Sequence, residues 1–271
     1  PEVDFEFINN AYRGVILGGA GLLCGGFERF WDAIGRRCRV PMIVWGVGGC
    51  YPDNQGSAPV PPSVVRPALE KCDLVNVRDD ITAEYYGLKS AHVSPCPTIA
   101  YLRRYATAPD RTGTVLLSYH PGLSSAAETR SIKKALRNTG ATVRMTDNTQ
   151  RFRWGLEDIV TLYCGSSVVV TTRLHGAIIA YGLSIPYVSV ARDEKLRAFQ
   201  RLYGNGVNVE DPSPVAELVR DNVAEVDQDV RLDLVYAFAE QARVWVESLR
   251  SEVPLRYSPG AGGLGEGQTC T

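Results

Sequence analysis

Net charge is the first thing this sequence has little of. Its 29 basic and 30 acidic residues leave a formal charge of -1 over 271 residues. No global field therefore draws it to nucleic acid or to an anionic membrane, and any anion it binds must be held locally. Histidine is scarce: the three, His92, His120 and His175, stand too far apart in sequence to make a metal motif on one helix. The seven cysteines (24, 38, 50, 72, 96, 164 and 270) are odd in number, scattered and without a CxxC pair. That pattern speaks for buried thiols in a reducing compartment and against a disulfide framework or a zinc site. No stretch reaches the roughly 18 uninterrupted apolar residues of a membrane span. The opening PEVDFEFINN has no basic-then-apolar signal layout. A cytoplasmic protein without a metal site is expected.

What is present is an ordinary globular mixture, 45% hydrophobic and 22% charged, in a chain long enough for two domains. Short apolar runs recur at 14–17, 41–47, 73–77, 114–119, 141–145, 167–171 and 186–190. Between several of them lie amphipathic stretches such as SSAAETRSIKKALRNTG, with Ile132, Leu136 and the alanines on one face. Strands rich in Val and Ile without polar alternation predict an α/β fold of parallel sheets covered by helices. The polar segment TAPDRTG, at 107–113, reads as a linker. It separates an expected unit over 1–108 from a second over 113–225. A helix over 226–250 and a glycine-rich, flexible tail over 257–271 follow. No repeat of fixed period is present, although the halves share an architecture.

Five stretches could carry chemistry. VILGGAGLLCGG runs a strand into Gly18, Gly19 and Gly21; glycines there let backbone N–H groups approach a ligand, or simply permit a tight turn. It is not a dinucleotide fingerprint, because Cys24 stands where the third glycine belongs and no acidic residue follows the next strand. VWGVGGCYPDNQG is a second strand running into glycines, Gly48 among them; both loops would lie at the carboxyl edge of one sheet, where ligands sit. In NVRDD, Asp79 or Asp80 can cap the helix ITAEYYGL, which leaves Arg78 as a strand-end cation that either reaches an anion or is merely exposed.

The stretch VVVTTRLHGAIIAYGLSIPYVSV, at 168–190, is the sharpest. VVVTT reads as a buried strand and GAIIAYGL as a helix whose end is marked by Gly182. Arg173 and His175 then fall at the strand-to-helix junction, where unpaired N–H groups and the helix dipole favour an anion. Arg173 adds a forked, permanent cation and His175 a group that exchanges a proton near neutral pH, its charged form favoured by an adjacent anion. A histidine that only bonds the helix end is the bland alternative. In VSVARDEKLRAFQRLYG, Glu194 and Lys195 would lie at the same edge one strand along, or simply on a solvated helix start.

Taken in order, VILGGAGLL, the WGVGG strand end, NVRDDITAEYYGL, HVSPCPTIAYL, TTRLHGAIIAYGLSIPYVSV and DEKLRAF followed by LYG resemble the polysaccharide pyruvyl transferase family, over about residues 14–205. The Arg-Leu-His-Gly element at 173–176 is the most specific of them. The resemblance implies a GT-B-type fold, two Rossmann-like halves with the active site between them, the first half on the acceptor side and the second on the donor side. It implies transfer of the three-carbon unit of phosphoenolpyruvate to a sugar as a pyruvate ketal, with release of phosphate. Arg173 and His175 take the positions associated with the phosphoenolpyruvate site. Two departures are visible. Family members usually carry a further βα segment before VILGGAGLL, so the first half is expected to be short. Where the family often has an arginine after the linker, VLLSYHP places His120.

The implied mechanism has Arg173 and the helix start binding the donor anion, assisted by Lys195 and Arg78, with His175 as general acid. It uses no cofactor. The implied partners are phosphoenolpyruvate and a saccharide or lipid-linked saccharide, the latter bringing the enzyme to the inner membrane face. A homo-oligomer is compatible with the sequence. Two other readings stay open: a nucleotide-sugar glycosyltransferase of the same architecture, and a non-catalytic saccharide-binding member of the family.

Overall fold

The computed structural model describes residues 3–19, 21–49, 58–106, 113–148, 155–204, 206–221 and 230–251. Its core is two parallel sheets. The first joins β1 (Val15–Gly18), β2 (Met42–Val47), β3 (Leu74–Val77) and β4 (His92–Val93) in the order β1-β2-β3-β4. The second joins β5 (Thr114–Ser118), β6 (Thr142–Thr146), β7 (Val168–Thr171), β8 (Tyr187–Val190) and β9 (Val207–Val209) in the order β6-β5-β7-β8-β9. Every pairing is parallel. The central strands are apolar on both faces because helices cover both: Ile43, Val47, Leu116, Leu117, Val169, Val170 and Val188 are all buried completely. The α/β class with two parallel sheets is therefore as the sequence predicts.

The helices are α1 (Phe5–Ala11), α2 (Glu28–Arg37), α3 (Pro62–Leu69), α4 (Asp80–Tyr86), α5 (Thr98–Leu102), α6 (Ala126–Arg137), α7 (Leu156–Cys164), α8 (Leu174–Gly182), α9 (Glu194–Leu202), α10 (Val215–Asp221) and α11 (Leu232–Ser251). Their starts follow local chemistry. The Asp79 carboxylate accepts from Thr82 N at 2.8 Å, that of Asp193 from Leu196 N at 2.9 Å, and Ser125 Oγ from Glu128 N at 3.0 Å. Each removes one unpaired donor from a first turn. Of the two aspartates open as a cap in NVRDD, Asp79 is the one used.

Two elements tie the sheets together. From α5, Ile99 and Leu102 enter the apolar cluster of the second sheet, against α8. A Cβ on Gly182 would stand 2.9 Å from Leu102 Cβ, so this glycine makes room for α5. The left-handed residue expected at the end of α8 is instead Ser184, at φ 58°. The helix α11 begins against the second unit, where the backbone N–H of Arg231 donates to Tyr181 Oη at 3.1 Å, and continues across the first sheet. There Phe238 and Ala242 pack on Ile43, and Trp245 Nε1 donates to Asp73 Oδ2 at 2.8 Å. An ion pair between Arg201 of α9 and Asp80 of α4, at 2.7 Å, joins the two units directly.

Some expectations meet their limits. The linker at 107–112, residues 226–229 of the long helix expected over 226–250, and the tail over 257–271 lie outside the described residues. Within them, α11 starts at Leu232. Of the five described cysteines only Cys38 is buried and the other four are half-buried, less covered than their apolar surroundings in sequence suggest. No helix of the described residues is long and apolar enough to cross a membrane.

Candidate functional site

The second sheet reverses its winding between β5 and β7, because β6 lies on one side of β5 and β7 to β9 on the other. In an open parallel sheet that switch opens a crevice beyond the strands' carboxyl ends, and ligands bind there. The residues that follow β5 and β7 are those the sequence singles out: His120 after β5, and Arg173 and His175 after β7. Lys195 arrives from β8. From the first sheet, Arg78 follows β3.

Each side chain is held by backbone chemistry. Thr171 Oγ1 accepts from Arg173 N at 3.0 Å and donates to Arg173 O at 2.9 Å, which turns the chain sharply from β7 into α8. Arg173 is the N-cap residue of α8 and contributes no side-chain cap. Unlike α4 and α9, this helix therefore starts without a carboxylate, and its first-turn N–H groups face the crevice uncapped. Gly176 completes the turn: a Cβ there would lie 2.1 Å from Thr171 Oγ1 and 2.7 Å from Ser118 Oγ. Thr172 Oγ1 accepts from His120 N at 3.0 Å, and Nδ1 of His120 accepts from Gly122 N at 3.0 Å. That second bond leaves the ring proton of a neutral His120 on Nε2.

Arg78 is buried, with 6% of its surface exposed. Its guanidinium occupies the space that a Cβ on Gly48 would need, 2.1 Å from Arg78 Nε. The nearest carboxylate oxygen, on Asp79, is 3.6 Å from that Nε. Among the described residues neither Arg78 Nε nor Arg173 Nε, both buried, has a hydrogen-bond partner. Arg173 Nη1 donates to Asp147 O. Buried donors without acceptors are costly, by about 1–3 kcal/mol each, unless a ligand supplies the acceptor.

His175 sits among these cations. Burial is the first cause lowering its pKa to about 4, and the charges of Arg78, Arg173 and Lys195 lower it further, with His120 adding to them. By its surface area His175 is nevertheless exposed to solvent, so a ligand can reach it. The sequence suggested a histidine charged by a neighbouring anion; without an anion, burial first and the three cations after it favour the neutral ring. The pKa of His120 is lowered as well, by burial and then by Arg173, with Asp193 opposing. Lys195 Nζ is 3.7 Å from Asp193 Oδ2.

The remaining expected site residues stand apart. Glu194 pairs with Arg197 one turn along α9, so its carboxylate is committed to its own helix. Gly18 ends β1, and Gly19 and Gly21 follow it; all three lie at the carboxyl edge of the first sheet, but at its rim strand, two strands from the one that Arg78 follows. Gly19 needs its glycine for φ 94°, whereas a Cβ on Gly18 would make only an ordinary contact. Gly48 acts by seating Arg78. Among the described residues no three His, Cys, Asp or Glu side chains come together as metal ligands would. A cavity of about 460 Å³ lined by Arg66, Glu70, Asp73, Lys89, His92 and Phe238 is away from this cluster, and its charges balance in sign.

Sequence reasoning missed a polar group beneath Arg173. Tyr163 Oη lies 3.0 Å from both Ser118 Oγ and Asn148 Oδ1, and Asn148 Nδ2 donates to Ser118 Oγ at 3.2 Å. The only signal was a polar residue in the apolar strand β5, Ser118, and a tyrosine within α7; Asn148, in the polar stretch after β6, gave none.

The family model of polysaccharide pyruvyl transferases matches residues 2–194, which include every strand from β1 to β8 and, of the cluster, Arg78, His120, Arg173 and His175. The chain belongs to the polysaccharide pyruvyl transferase family. It is thus a member of a transferase family whose acceptor is a saccharide. Comparison with curated proteins gave no match. Among solved structures, the wall teichoic acid polymerase TagF is similar over 92% of each chain, at 10% identity and a TM-score of 0.35, a likeness too low to carry function or site. In this pyruvyl transferase family member, the Arg-Leu-His-Gly element lies at the switch point of the second sheet.

Proposed function

We propose that the protein transfers the pyruvyl unit of phosphoenolpyruvate to two hydroxyls of a saccharide, forming a ketal and releasing phosphate. The observation that carries this reading is the convergence of Arg78, Arg173 and Lys195 on His175 at an uncapped helix start. Three cations and a ring of free N–H groups suit a small, multiply charged anion bearing both a phosphate and a carboxylate. Family membership supplies the reaction class.

In this reading the trianion lies between Arg78 and Arg173, whose buried Nε groups gain acceptors. Its charge offsets the cations and raises the pKa of His175, so that the imidazole can take up a proton once the donor is bound. One sugar hydroxyl bonds to C2 of the donor while a proton is delivered to C3, turning methylene into methyl. The C2–O bond to phosphate then breaks, and a second hydroxyl bonds to C2. The two hydroxyl protons end on C3 and on the departing phosphate, so no oxidant or reductant is needed. His175 carries the first proton between oxygen and carbon, and Arg173, with the start of α8, takes up charge as phosphate leaves.

Incubation with phosphoenolpyruvate and a panel of saccharides, following phosphate release, tests this. Acceptor-dependent release supports it. Release from a nucleotide sugar instead would assign the protein to glycosyl transfer.

A further inference from the structure

The cluster beneath α8 has no contact with the proposed substrate, yet it is fully organised. Ser118 and Tyr163 are completely buried. With Asn148 they form a three-membered ring in which every group can both give and receive. The Tyr163 O–H donates to Asn148 Oδ1, the Asn148 amide to Ser118 Oγ, and the Ser118 hydroxyl back to Tyr163 Oη, over the distances of 3.0, 3.2 and 3.0 Å already given. Burial keeps the Tyr163 hydroxyl protonated, with its pKa raised to about 12. The ring is therefore uncharged and fully paired, the condition in which a buried polar network rigidifies its surroundings.

Two features point it at Arg173. Asn148 is held at φ 54°, a left-handed conformation that asparagine tolerates better than most residues. Its backbone N–H is tied to Thr146 Oγ1 at 3.0 Å. That geometry turns the preceding carbonyl, of Asp147, onto Arg173 Nη1. At its other end, Ser118 Oγ packs under Gly176, in the first turn of α8. Arg173 also acts electrostatically on the Tyr163 hydroxyl. The ring thus braces both the carbonyl that grips one arm of the guanidinium and the turn from which Arg173 springs. It leaves Nε free for a ligand.

Resting on the donor-site reading of Arg173, we propose that Asn148, Tyr163 and Ser118 are positioning residues. They orient the Arg173 guanidinium for the anion without touching it. A purely structural ring would protect the fold alone. A positioning ring must tune anion affinity through Arg173 and through no other group.

The test measures binding of phosphoenolpyruvate and of inorganic phosphate by calorimetry, together with thermal stability, on the full chain. The variants are Tyr163→Phe, Asn148→Gly, Arg173→Ala and the double variant of Tyr163→Phe with Arg173→Ala. Glycine accepts φ 54° without strain and removes only the amide. The expected result is affinity weakened about ten-fold in Tyr163→Phe and Asn148→Gly, with KM raised and kcat changed far less. In the Arg173→Ala background, Tyr163→Phe should add no further loss, the signature of coupled residues. Wild-type affinity in both single ring variants, alongside weakened binding in Arg173→Ala, would overturn the positioning role alone. Equal losses from Tyr163→Phe with and without Arg173 would do the same. Unchanged affinity in Arg173→Ala would overturn it together with the donor-site reading.

Discussion

The guanidinium of Arg78 rests on the backbone of Gly48, where a Cβ would stand 2.1 Å from Nε and 2.5 Å from Cζ. Two residues that the sequence presents as separate, a glycine after β2 and an arginine after β3, are one device: the glycine is the seat and the arginine its occupant. Gly48→Ala should push Arg78 out of line, cost about 1–3 kcal/mol by overpacking, and raise the KM for phosphoenolpyruvate by about ten-fold or more. Steady-state kinetics beside thermal melting checks this, and an unchanged KM would remove Arg78 from the donor site.

The neutral state of His175 has a pH consequence. Its folded pKa, about 4, lies below the ordinary 6.5, so between those values the unfolded chain binds more protons than the folded one. Stability from this group is complete above pH 6.5 and is lost as the pH falls towards 4. His175→Gln should therefore flatten the fall of melting temperature with acidification across that window. His120, shifted in the same direction, contributes to what slope remains.

Donor binding should reverse the sign locally, since the anion raises the pKa that the cations lower. Calorimetry of phosphoenolpyruvate binding near pH 6 in buffers of different ionisation enthalpy should report proton uptake that His175→Gln diminishes. Equal uptake in both proteins would mean that His175 does not face the anion.

The strap formed by α11 gives a prediction about the fold. Phe238 is buried to 1% exposure against Ile43 and Trp45, with its ring centroid 5.5 Å from that of Trp45. Phe238→Ala should cost about 3–5 kcal/mol, read by denaturant unfolding. A loss under ~1 kcal/mol would show that α11 does not hold the first sheet.

The central strands β2, β5 and β7, with three or more apolar residues in a row, were legible to within a residue or so, because burial on both faces leaves no polar alternation. The short rim strands β4 and β9 were not: two or three residues of edge carry no pattern. Nor was α3, whose PPSVVRPAL holds prolines at its start and within it. That Arg173, His175, Arg78, His120 and Lys195 follow strands at the carboxyl edges was legible because parallel sheets gather strand ends at one edge. The pairing of Glu194 with Arg197 was not legible, since the sequence around it reads equally as a strand end and as an i,i+3 pair. The ring of Ser118, Asn148 and Tyr163 depends on contacts 15 to 45 residues apart in sequence, and the protonation of His175 on burial and on groups as distant in sequence as Arg78, which no local pattern records.

The most direct measurement of the central claim is proton NMR of the protein with phosphoenolpyruvate and a small set of glycosides, run beside His175→Ala and Arg173→Ala. The account predicts a new ketal methyl signal growing in step with released phosphate. In His175→Ala its rate should fall roughly 10²- to 10⁴-fold; in Arg173→Ala the signal should need far more donor to appear. A methyl signal that grows unchanged in both variants, or phosphoenolpyruvate left intact while a nucleotide sugar is consumed, would contradict it.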